Sequence, residues 1–112
     1  MVSSRLDPET LAGLRDLGPD EFRELVQLYL NEAAARVSGL QTMAERGDSQ
    51  SLSKLAHSLM GSSLGFGANT LAGFCSEIEQ ATAGGAADVQ VLVEEVTAEF
   101  DRVRAALKDE LQ

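Results

Sequence analysis

Apolar side chains recur every three or four positions through almost the whole chain, and no segment alternates apolar with polar residues as a strand would. The longest run lies between Pro19 and Arg46. There Phe22, Leu25, Val26, Tyr29, Ala33, Val37, Leu40 and Ala44 keep to one helical face. Such a stripe must be covered by other stripes, so a chain patterned this way folds by laying helix against helix.

Proline, glycine and capping residues divide the pattern into five segments. Asp7 is an N-cap candidate with Pro8 in the first turn behind it, and this first short helix is expected to end at Gly18. Pro19, Asp20 and Glu21 restart the chain, acidic residues suiting the positive end of a helix. The second helix stops at Gly47, within an Arg-Gly-Asp tripeptide that reads as a helix stop rather than an adhesion signal. Asp48 or Ser49 caps a third helix carrying Leu52, Leu55, His57 and Leu59, and "GFG" at 65–67 breaks it. A fourth helix carries Leu71, Phe74, Cys75, Ile78 and Thr82 and ends in "AGGAAD". Asp88 caps a fifth, with Val89, Leu92, Val93, Val96, Phe100, Val103, Leu107 and Leu111. Short connections between long amphipathic helices imply an all-α, antiparallel up-down four-helix bundle with a short additional N-terminal helix, in a single domain over 1–112.

Charge and composition narrow the function. The net charge of −9 argues against nucleic acid and anionic membranes, which require a basic footprint. It suits a soluble protein whose copies repel one another, so a monomer is expected. The single cysteine, Cys75, permits no internal disulfide, and the opening "MVSSRLDPET" has no apolar core of a signal peptide, so a cytoplasmic location is expected.

His57 is the only histidine. With about 100° per residue, Leu55, Leu59 and Phe66 fall within about 60° of Leu52 and mark the core direction, while His57 lies about 140° from Leu52. A core histidine would share the leucine stripe, and this one does not. Its neighbours are unusual for plain surface: Gly61 one turn on, Lys54 and Leu64 flanking, and Met60 nearer the core edge. A mid-helix glycine costs about 1 kcal/mol against alanine, a cost tolerated where something must approach the backbone. No second histidine supports a metal site, so none is expected. No nucleophile elbow supports hydrolysis, and "GSSLGFG" matches neither a phosphate loop nor a dinucleotide fingerprint.

The stretch "AHSLMGSSLGFGANTLAGFCSEIE" resembles the signature of the histidine-containing phosphotransfer (HPt) domain family. The residues carrying the resemblance are Ala56, His57, Leu59, Gly61, Ser62, Ser63, Gly67, Ala68, Leu71, Cys75, Ile78 and Glu79, with a Gly-Asp turn upstream. The resemblance implies the same helical bundle. It also implies that His57 accepts a phosphoryl group from an aspartyl phosphate on a receiver domain, or from a kinase, and passes it to another receiver in two-component signalling. Neutral imidazole is nucleophilic near pH 7, so the residue suits the task. Receiver domains and a hybrid histidine kinase are the implied partners. The implied Mg²⁺ belongs to the receiver, and no cofactor is expected in this chain, which has no ATP-binding kinase segment.

The resemblance gives Gly61 the role of leaving room for the phosphoryl group and the receiver. Glu79 matches a position that accepts a hydrogen bond from the imidazole, although it also reads as an ordinary surface glutamate. Ser62 and Ser63 suit close helix packing, with phosphate contact as the alternative, and Cys75 reads as core. Leu64, Met60 and Gly61 are candidate docking residues. Where the family carries a lysine three residues after the histidine, this chain has Met60, and Lys54 is a candidate substitute. That departure keeps a second reading open: a non-phosphorylated helical adaptor that binds a receiver without transfer.

Overall fold

The computed structural model describes residues 5–84 and 89–112. Five helices follow one another: α1 (Pro8–Arg15), α2 (Pro19–Arg46), α3 (Ser49–Leu64), α4 (Asn69–Ala83) and α5 (Val89–Glu110). The four long helices pack around one core as an antiparallel ring, α2 against α3, α3 against α4, α4 against α5, and α5 back against α2, while α1 leans on α2. The molecule measures 43 × 25 × 18 Å. Among the described residues no helix is long and apolar enough to cross a membrane.

Local chemistry sets the ends. The Asp7 carboxylate accepts hydrogen bonds from the Thr10 amide at 3.1 Å and the Thr10 hydroxyl at 2.6 Å. Asp48, rather than Ser49, caps α3, accepting from the Ser51 amide at 3.1 Å and hydroxyl at 2.8 Å. Those two bonds favour the charged carboxylate and hold its pKa below the usual range. Gly47 closes α2 in the left-handed conformation at φ 68°. Helix α1 stops at Arg15, sooner than the glycine suggested; Gly18, at φ 108°, serves as the turn residue that starts α2. The expected Asp88 cap lies outside the described residues.

The core is the expected one with two additions. Val26, Ala33, Leu40, Ala56, Leu59, Leu71, Cys75, Ile78, Val96, Val103 and Leu107 are fully enclosed. Leu25, Ala44, Leu55, Phe74, Val89, Leu92 and Leu111 are only partly buried, since they sit at the edges of their stripes. The first addition is Glu99, a carboxylate only 3% exposed, held by Arg102 of its own helix at 3.1 Å and by Arg5 at 3.5 Å. The second is a crossing of the N-terminal segment over the α3–α4 turn. The Asp7 amide donates to the Gly67 carbonyl at 2.9 Å, and Leu6 and Leu11 are buried. Gly67 has φ 71°, and a Cβ there would meet Asp7 at 2.7 Å, so both conformation and space require glycine.

Candidate functional site

Helix α3 carries the site, and its buried edge decides which way His57 faces. Leu52, Ala56, Leu59 and Ser63 turn inward, which leaves His57 on the outer face with 71% of its side chain exposed. Two contacts fix α3 against α2. The Ser63 hydroxyl, fully buried, meets the Tyr29 hydroxyl at 2.7 Å. Near the other end, a Cβ on Gly39 would stand 3.1 Å from Leu55, so α2 and α3 approach closely there.

Among the described residues the imidazole has one partner. Its Nδ1 lies 3.2 Å from Oε2 of Glu79 on α4, a carboxylate 27% exposed. A carboxylate only accepts, so the bond selects the tautomer in which Nδ1 carries the hydrogen. Nε2 is then the lone-pair nitrogen, with no hydrogen-bond partner among the described residues. Glu79 thus reaches the ring from the neighbouring helix.

Gly61, one turn beyond His57, is exposed, and a Cβ built there would touch nothing within 4 Å. Internal packing does not require this glycine. It leaves the surface beside His57 low. Lys54, one turn before His57, is exposed as well.

The remaining candidates divide. Ser62 is partly buried and its hydroxyl is given to its own helix, to the Ser58 and Leu59 carbonyls at 3.2 Å each. Ser63 is internal, bonded to Tyr29. Met60 is partly buried against the core, so it is a boundary residue and not a free surface methionine. Leu64 is 50% exposed. Cys75 is fully buried, and burial with the nearby Glu79 carboxylate pushes its thiol up to about 12.

Three exposed apolar residues, Leu17, Leu28 and Val91, escaped sequence reasoning, and Leu28 shares a level of the bundle with Leu64. Leu28 on α2 is 55% exposed. It and Leu64 each adjoin one partner of the Tyr29–Ser63 pair, so the two leucines emerge at the same level of the bundle, about two helical turns from His57. The available signal was Leu28's place off the α2 stripe, a large apolar residue with no internal use. Grooves elsewhere, such as the one lined by Gln27, Asn31, Arg104 and Lys108, lie along the α2–α5 seam. His57 is exposed and does not line these grooves, which suits a macromolecular partner better than an enclosed small substrate.

Comparison with known proteins agrees with this fold. The family model of the Hpt domain matches residues 24–106. The crystal structure of histidine-containing phosphotransfer protein B (HptB) from Pseudomonas aeruginosa PAO1 is similar throughout, with a TM-score of 0.93 and 33% sequence identity, covering 99% of this chain and 97% of that one. No curated protein matches. The bundle, its outward histidine and these matches together place the chain in the Hpt domain family.

Proposed function

We propose that this protein is a phosphorelay carrier in which Nε2 of His57 accepts a phosphoryl group from the aspartyl phosphate of a receiver domain and gives it to another receiver. The observation that carries the reading is the His57–Glu79 bond: it leaves Nε2 with the free lone pair, on a side chain 71% exposed. As the P–N bond forms, the bond from phosphorus to the donor oxygen breaks, and that oxygen leaves with the electron pair. The ring keeps its Nδ1 hydrogen and gains positive charge, which the Glu79 carboxylate faces. The Mg²⁺ such a transfer uses is assigned to the receiver. Gly61 gives the incoming domain room, and Leu28, Leu64 and the edge of Met60 offer it apolar contact.

The carrier is not a kinase, and a hybrid histidine kinase upstream is the natural source of phosphate. HptB, the similar structure, is named as a histidine-containing phosphotransfer protein, which supports the reading. Incubation with a phosphorylated receiver is expected to transfer acid-labile, base-stable label to the wild type and none to His57→Gln. Equal labelling of the variant sinks the assignment.

Met60 favours a second reading, a pseudo-carrier that binds a receiver without exchange. A wild type that binds but takes no label, converted into a carrier by Met60→Lys, establishes that adaptor. A wild type that labels removes it.

A further inference from the structure

This inference rests on the carrier reading and concerns the charge a carrier must hold. A phosphoryl group brings up to two negative charges onto a chain already at −9. The helix that receives it is unlike the rest of the protein. Helix α3 contains no aspartate or glutamate, and apart from His57 its only ionisable side chain is Lys54.

Lys54 and His57 are three residues apart, which places their Cβ atoms about 5–6 Å from each other on the outward face. Lys54 is exposed and takes part in no hydrogen bond or ion pair among the described residues; Asp48, which feels its charge, is already bonded to Ser51. The competing groups are committed. Arg36 on α2 is paired with Glu32 at 3.3 Å, and Met60 has no charge. Glu79 takes Nδ1, so the phosphoryl group must sit on Nε2, away from that carboxylate.

We infer that Lys54 is the phosphoryl-binding cation of this site, its ammonium holding the oxygens of the group carried on His57 Nε2. The four-carbon stem spans one helical turn, and the ammonium supplies up to three donors. The low surface at Gly61 leaves the other side of the phosphoryl group open to the partner.

Phosphoramidate, a small donor with no surface to dock, isolates this role from receiver recognition. The phosphorus–nitrogen bond of the donor breaks, ammonia leaves, and the new bond forms to Nε2. Lys54→Gln is expected to label about three- to tenfold more slowly than wild type, the range of an exposed charge-assisted contact. Lys54→Arg is expected to stay within about twofold of wild type. The gap between wild type and Lys54→Gln is expected to narrow as salt rises, because exposed charges are screened. A Lys54→Gln chain that folds, by circular dichroism, and labels at the wild-type rate overturns the inference. So does a loss that arginine does not restore or salt does not change. If the wild type takes label from neither phosphoramidate nor a phosphorylated receiver, the carrier reading itself falls, and this inference falls with it.

Discussion

Tyr29 and Ser63 join their hydroxyls at 2.7 Å inside the core, each less than 5% exposed, and the ring of Phe66 stacks on Tyr29 at 4.6 Å. This pair sets the register of α3 against α2, and therefore the level at which His57 emerges. Removing one hydroxyl leaves the other unsatisfied. Tyr29→Phe and Ser63→Ala are each expected to cost about 1–2 kcal/mol. The double variant should cost less than the sum of the two. Urea unfolding of all four proteins measures this cycle.

The alkaline limb of stability follows from two buried groups. Burial pushes the Tyr29 phenol from its ordinary 10.0 up to about 12, the Ser63 hydroxyl offsetting part of the rise. The Cys75 thiol rises from 9.0 to about 12 by burial and by the Glu79 charge. Both pKa values are higher folded than unfolded, so the folded state holds protons that the unfolded chain has already released. Stability is expected to be flat in these groups below pH 9 and to fall from there toward pH 12, Cys75 contributing first. Because Tyr29 is the only tyrosine and there is no tryptophan, tyrosinate absorbance reads its titration directly. A midpoint near 10 in the folded protein would contradict the burial argument.

Two glycines should respond in opposite ways. Gly61→Ala fills open space on a helix and is expected to stabilise the protein by about 0.5–1 kcal/mol. Gly61→Gln is expected to fold as well yet slow transfer from a receiver, because it raises the surface beside His57. Gly67→Ala must strain a left-handed residue and push aside Asp7, at an expected cost of about 2 kcal/mol or more. Thermal unfolding separates the two sites, and receiver assays separate the two Gly61 variants.

Glu79 acts on the imidazole through a single bond. Glu79→Ala is expected to release the Nδ1–H tautomer and slow phosphoryl acceptance about tenfold. With one histidine in the chain, ring nitrogen NMR reports the tautomer without overlap. An unchanged tautomer in the variant removes the orienting role.

Glu99 tests the N-terminal anchor. Arg102→Ala leaves a buried carboxylate with less compensation and is expected to cost about 1–2 kcal/mol. Glu99→Gln should cost less, since both arginines are partly exposed and hydrate. Chemical denaturation ranks the two, and the reverse order rules out a charge-compensated Glu99.

Much of this architecture is legible from local signals. Pro19 and Gly47 mark the ends of α2 because each restricts the backbone by itself, and the leucine stripe of α3 gives the direction of His57 by arithmetic alone. What escaped depends on partners far apart in the chain. Glu99 sits among apolar stripe residues of α5, and nothing near it in sequence announces that Arg5 comes to meet it. Gly67 carries part of the family signature, but its need for glycine arises from Asp7, which arrives from the N-terminal segment. The Glu79 bond reaches across from a separate helix, so a sequence places the glutamate but not its distance from the ring.

Cys75 has a practical consequence. A thiol closed to solvent and kept protonated at neutral pH does not react with alkylating reagents. A cysteine introduced at Leu28, or in place of Gly61, would therefore be the one reactive thiol in the molecule. A single spin or fluorescent label could then be attached there with no need to remove the native residue, and the arrival of a partner at the His57 face followed in real time.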